Sequence, residues 1–135
     1  MTEAVVILPI FNESAIVDSV LDRVEDHLRS RPHRCFVLVD DGSSDGTQKA
    51  IEGRLASRED DRIRLVCHEH NRGKAEAIIT GLRQSTAPLV CFTDGDLAYS
   101  LDHLDRIIDA LDDADVAIGS RALSDLNGGC ISWRR

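Results

Sequence analysis

Cys35-Phe36-Val37-Leu38-Val39-Asp40-Asp41-Gly42-Ser43-Ser44-Asp45-Gly46-Thr47 passes from a purely apolar run into a turn of Asp, Ser and Gly. An apolar run of strand length with no polar alternation reads as a strand buried on both faces, as in a parallel sheet covered by helices. The turn after it supplies caps for a following helix, with Ser44 or Asp45 in that role. Two adjacent carboxylates directly beyond the strand exceed what a turn needs. They suit hydrogen bonds to a base N–H or a ribose hydroxyl in the crevice of an α/β sheet, although Asp40 can equally brace the turn.

The same alternation repeats on either side. Ala4–Ile10, Ile63–Cys67, Leu89–Phe92 and Val116–Ile118 also read as buried strands. Amphipathic stretches near Glu13–Arg29, Asp45–Ala56, Lys74–Gln84 and Leu101–Leu111 read as helices, the first with Ile16, Val17, Val20, Leu21, Val24 and Leu28 on one face. Strands alternating with helices imply right-handed crossovers and an α/β fold, a mostly parallel sheet with helices on both faces and ligands at the strands' carboxyl ends. No further strand is expected from Ala122 to Arg135.

The chain has 135 residues, 42% of them hydrophobic, enough for one domain over residues 1–135. Against 16 basic residues stand 24 acidic ones, a formal charge of -8 that argues against nucleic-acid binding. Cys35, Cys67, Cys91 and Cys130 form no CxxC pair, and the first three sit in apolar runs as small hydrophobes. No run approaches the roughly 20 apolar residues of a membrane helix, and no basic leader precedes an apolar segment. A cytoplasmic location is therefore expected.

Each strand end carries polar residues with more than one reading. Pro9-Ile10-Phe11-Asn12-Glu13-Ser14 lacks the GxGxxG of a dinucleotide turn. Asn12 or Ser14 can cap the first helix, while Glu13 is either a first-turn acid or part of a nucleoside pocket. Asn71-Arg72-Gly73-Lys74 brings a glycine and two cations to a helix N-terminus, where anionic oxygens bind. His68-Glu69-His70 presents alternate imidazoles but no third ligand at zinc-like spacing. Gly119-Ser120-Arg121 places a cation past the fifth strand.

The sharpest motif is Phe92-Thr93-Asp94-Gly95-Asp96. Period-2 geometry points Asp94 and Asp96 to the same side, and Gly95 would let a ligand approach the backbone. Alone, such a pair repels a diphosphate, since like charges about 4 Å apart cost roughly 4 kcal/mol at an effective dielectric near 20. A Mg²⁺ or Mn²⁺ ion held by one or two carboxylates and the substrate's phosphates reverses that sign. Ser100 is already available to cap the helix from Leu101, so the pair is not needed as a cap.

Taken together, VVILPIFNE (5–13), VLVDDGSSDGT (37–47), NRGKAEAI (71–78), FTDGDLAYS (92–100) and AIGSR (117–121) resemble the family 2 glycosyltransferases of GT-A, Rossmann-like fold, particularly the branch with dolichol-phosphate mannose synthases. The resemblance implies that Asp41 binds the donor's base, with Pro9 and Glu13 bordering that pocket. It implies that Asp94 and Asp96 bind the metal and diphosphate, that Arg121 approaches phosphates, and that Asp94 and Asp96 are central to catalysis; Asp40 and Lys74 are candidates from their own places at the strand end and helix N-terminus. This branch often has Gln where this chain has Ala98. The resembled fold also continues past Arg135 with acceptor-side elements and, often, membrane-associated helices. The chain is expected to bind donor without transferring sugar by itself.

By resemblance the reaction is inverting displacement on a UDP- or GDP-sugar, with a polyprenyl or dolichyl phosphate as acceptor. Such a phosphate is already ionised at neutral pH, its second pKa being about 6, and needs no general base. Two other readings compete. A haloacid-dehalogenase-like phosphatase would use Asp94 as nucleophile and Asp96 as acid/base, leaving the Asp40-Asp41 turn without a role. A non-catalytic nucleotide-binding fragment would bind donor and stop there.

Overall fold

The computed structural model describes residues 3–120 and 130–133, the last four by backbone. It divides into two compact units, Met1–Ala98 and Tyr99–Arg135.

In the first unit, β1 (Ala4–Ile10), β2 (Arg34–Asp40), β3 (Ile63–Cys67) and β4 (Leu89–Phe92) form one sheet in the order β3-β2-β1-β4. All neighbours run parallel, with Val6 beside Phe36 and Cys91, and Val39 beside Val66. The inner strands β1 and β2 are buried almost throughout, whereas the edge strands β3 and β4 are partly exposed. Both faces are covered because the pleat sends alternate side chains to opposite sides. Val5, Ile7, Cys35, Val37 and Val39 meet Ala77 of α3 (Lys74–Arg83) on one side. The fit there is close: a Cβ on Gly81 would lie 2.5 Å from Ile7 Cγ2. On the other side Phe36 packs edge-to-face with His27 of α1 (Val17–Ser30), ring centroids 5.9 Å apart. Arg54 of α2 (Thr47–Ala56) then ties α2 to Asp22 and Glu25 of α1.

This strand order decides where a ligand can sit. Successive strands move outward from β1 through β2 to β3, and the chain then crosses back to place β4 on the other side of β1. The loops leaving β1 and β4 therefore diverge, and a crevice opens at their carboxyl ends.

The second unit departs from the expected topology. After α4 (Leu101–Asp109), capped by Ser100 as anticipated, and a 3-10 turn at Ala110–Asp113, β5 (Val116–Gly119) pairs antiparallel with β6 (Cys130–Trp133). Val116–Ile118 was expected as a buried strand of the parallel sheet; instead Val116 and Ile118 are half exposed in a separate hairpin. The expectation of no strand after Ala122 is likewise corrected by β6. Both strands have four residues, too few for apolar periodicity to separate a two-stranded ribbon from a core strand. No described helix is long and apolar enough to cross a membrane.

Candidate functional site

At the carboxyl ends of β1, β2 and β4 lies a cleft of about 420 Å³, within the roughly 300–1,000 Å³ span of small-molecule sites. Pro9, Glu13, Asp41, Lys74, Asp94 and Asp96 all line it. Six of the residues singled out in the sequence thus come together from four separate segments.

The β1 end is laced to the β2 turn. Asn12 N–H donates to Ser43 Oγ (2.9 Å), Ser44 N–H to Asn12 Oδ1 (2.9 Å), Ser14 N–H to Asp45 Oδ2 (3.0 Å) and Glu13 N–H to Thr47 Oγ1 (2.9 Å). These bonds replace the local caps expected from the sequence. Asn12 and Ser14 do not cap α1, whose N-cap is Ile16, and Asn12 sits in the left-handed region at φ 52 that Asn tolerates. Gly46 rather than Ser44 or Asp45 occupies the N-cap of α2, while Asp45 accepts from the N–H and hydroxyl of Thr47. The Thr47 hydroxyl is the largest influence holding the Asp45 carboxyl far below its usual range. Glu13 shifts the other way: burial, then the charges of Asp96 and Asp45, push its carboxyl up.

The two aspartates of the β2 end separate. Asp40 is fully buried and outside the cleft lining, and its Oδ2 accepts from Ser43 N–H at 3.1 Å, the turn-bracing role. Asp41 reaches the cleft with only 3% exposure. Its Oδ1 accepts from Arg72 N–H (2.8 Å) and faces His68 Nδ1 (2.7 Å), and Oδ2 accepts from Gly73 N–H (2.9 Å). Burial alone would raise its pKa; the His68 contact and the two backbone N–H groups outweigh that and hold it low. The crossing is tight, because a Cβ on Gly42, at φ +73, would lie 2.4 Å from the carbonyl carbon of His70.

The β4 end is open by contrast. Asp94 is half exposed and pairs with the Lys74 ammonium at the start of α3; Asp96 is exposed and accepts from Ala98 N–H at 3.0 Å. Leu97 fixes this loop: buried to 1% exposure, it holds an unfavourable left-handed φ of 50 that its packing must support. Gly95 lines the cleft, and the fold adds a second demand for glycine there: a Cβ would lie 2.3 Å from the Pro9 carbonyl oxygen, where the loop after β4 crosses the β1 end.

Sequence reasoning passed over Ile10, Phe11 and Asn71 as cleft residues. Phe11 had a visible signal, an aromatic directly past a buried strand, and it is 45% exposed. Of the alternate histidines, His68 spends both ring nitrogens inside the protein, while His70 is exposed. Among the described residues no group of three or more His, Cys, Asp or Glu side chains is arranged to hold a metal ion by itself. Arg121 lies outside the described residues.

A family model described as "Glycosyl transferase family 2" matches residues 5–135. Polyprenol monophosphomannose synthase of Mycolicibacterium smegmatis is 35% identical over 138 residues, covering 96% of this chain and 49% of that protein. Dodecaprenyl-phosphate galacturonate synthase of Rhizobium johnstonii is 31% identical over 122 residues, covering 88% of this chain and 36% of its own. In fold, the chain is similar to a mannosyltransferase of Pyrobaculum calidifontis solved with GDP-Man and Mn²⁺, with TM-score 0.75 and 33% identity over 87% of this chain and 34% of that one. The chain thus spans about a third to a half of the length of these proteins.

Proposed function

Since this chain belongs to glycosyl transferase family 2, we propose that the cleft binds the nucleoside diphosphate of a UDP- or GDP-sugar, and that the sugar passes with inversion to a polyprenyl phosphate. The observation that carries this reading is the convergence of Asp41, Glu13, Lys74, Asp94 and Asp96 on one cleft at the sheet's switch point. Similarity to polyprenyl-phosphate sugar synthases and to a mannosyltransferase with GDP-Man supports the substrate class.

Division of labour follows from the electrostatics. At the β2 end a buried, prearranged carboxylate offers an acceptor suited to a neutral N–H donor. At the β4 end two open carboxylates face a substrate that is itself anionic, which demands a cation between them. The donor set fits a hard divalent ion in kind, since Asp94 and Asp96 both supply carboxylate oxygens to the cleft. Mg²⁺ and Mn²⁺ ordinarily take one or two carboxylates and fill the rest of their shell with waters and phosphate oxygens, a demand two aspartates can meet. When bound, such an ion supplies Lewis-acid stabilisation of the departing diphosphate. Lys74, at the N-terminal end of α3, adds positive charge beside the same phosphates. The acceptor phosphate is ionised near neutral pH, so no group of the cleft has to remove a proton from it.

The phosphatase alternative uses Asp94 and Asp96 alone and gives Asp41, Glu13 and the laced β1–β2 turn nothing to do. Calorimetric titration with UDP-glucose and GDP-mannose in Mn²⁺ tests the proposal. Micromolar binding of one donor is the expected result, and no binding of either would remove it. Movement of radiolabel from the bound donor into an extractable polyprenyl-phosphate product tests the acceptor.

A further inference from the structure

His68 follows β3 directly and is 8% exposed, too enclosed to touch a ligand, yet both its ring nitrogens are engaged. Nδ1 lies 2.7 Å from Asp41 Oδ1 and Nε2 lies 2.9 Å from Thr80 Oγ1 on α3. An ionised carboxylate only accepts, so the Nδ1 proton is assigned to point at Asp41. In the neutral ring Nε2 is then an acceptor, and the Thr80 hydroxyl donates to it. The donors run in one direction, from Thr80 through His68 to Asp41.

This chain limits what Asp41 has left to offer. A carboxylate has about four acceptor sites. His68 and Arg72 N–H fill two on Oδ1, and Gly73 N–H takes one on Oδ2. A single position remains, on Oδ2.

We propose that His68 is a positioning residue which, oriented by Thr80, locks the Asp41 carboxylate so that one oxygen alone receives one N–H donor of the nucleobase. The inference rests on the reading of the cleft as a nucleoside diphosphate site and deepens it. Without His68, Oδ1 regains an acceptor site and the carboxylate is free to turn away from the Arg72–Gly73 backbone. Base recognition then weakens, while the diphosphate end, built from Asp94, Asp96 and Lys74, is untouched.

The test uses UDP and GDP in Mn²⁺, with inorganic pyrophosphate in Mn²⁺ as the probe of the diphosphate end alone. His68→Ala is expected to weaken the preferred nucleotide about tenfold, as expected for a lost hydrogen bond to a charged group, and to leave pyrophosphate within about twofold. His68→Asn, whose amide N–H reaches toward the Nδ1 position, should restore most of the loss; Thr80→Val should give a smaller loss of about threefold. Asn also keeps the test alive if the alanine variant fails to fold. Nucleotide affinity unchanged in His68→Ala, or nucleotide and pyrophosphate falling together in both His68 variants, would overturn the positioning role. An Asp41→Asn variant that binds UDP and GDP like the wild type would instead overturn the base-recognition reading on which it stands.

Discussion

The two acidic ends of the cleft are built in opposite ways. Asp41, at the end of β2, is buried and already accepts from His68, Arg72 and Gly73. Asp94 and Asp96, at the end of β4, are open, with Lys74 and one backbone N–H as their contacts. Both ends demand a glycine at a close crossing, Gly42 under His70 and Gly95 over Pro9, so neither is a loose surface loop. A prearranged acceptor needs only a matching donor, whereas an exposed carboxylate pair is left with charge to neutralise. Under the proposed reading, the two ends would meet the neutral and the anionic parts of a nucleoside diphosphate separately.

Removing charge at the open end should have the largest effect. If Asp94 and Asp96 hold a cation for the diphosphate, Asp96→Asn would remove one of its two carboxylate ligands. The loss of nucleotide affinity in Mn²⁺ should exceed the roughly 10–100-fold that outer-shell changes at metal sites cost, and most of the response to Mn²⁺ should vanish. An Asp96→Asn protein that still tightens its grip on UDP or GDP when Mn²⁺ is added would erase the contrast between the two ends.

Asp41→Asn should come next, costing about 1.5–3 kcal/mol of nucleotide binding as a charge-assisted hydrogen bond is lost. Its response to Mn²⁺ should stay intact. Gly95→Ala probes the frame that both ends share: overpacking against the Pro9 carbonyl should lower unfolding stability by about 1–3 kcal/mol in urea. Wild-type stability would show that the β1–β4 crossing relaxes freely.

The smallest effect expected is one of acid stability. Asp45 has its folded pKa depressed by Thr47 and Ser14, so its contribution is fully present above the ordinary carboxylate pKa of about 3.9 and is lost as pH falls below it. Asp45→Asn should therefore flatten the stability profile below about pH 4 while changing little at pH 7. A profile as steep as the wild type's would assign the acid sensitivity elsewhere.

Much of the frame is legible in sequence because it depends on local runs. Ala4–Ile10, Ile63–Cys67 and Leu89–Phe92 are mostly apolar stretches, interrupted only by Arg64, and they are strands with those same limits. The cleft residues were found for a related reason, since polar groups at strand ends in an α/β sheet have few structural explanations. The Ser100 cap of α4 was legible, but the caps of α1 and α2 were not. Asn12 and Ser14 look like local caps, but their partners lie 31 or 32 positions away across the β1–β2 crossing, and Asp45 holds Ser14 there besides its local partner Thr47. Likewise His68 showed only alternate spacing with His70, and nothing local reveals that Asp41 and Thr80 close on it from two other elements. β5 was legible as a strand, but its antiparallel pairing with β6 was not, since a short apolar run does not reveal which partner it takes.

The claim that Asp94 and Asp96 await a cation shared with a diphosphate is tested most directly by one titration. UDP and GDP are each titrated into the protein with Mn²⁺ present and again after excess chelator. Removing the ion leaves like charges facing one another, a cost of roughly 4 kcal/mol at about 4 Å and an effective dielectric near 20. Affinity for the preferred nucleotide should therefore fall by roughly a hundredfold or more. Equal affinity with and without the ion would contradict the account.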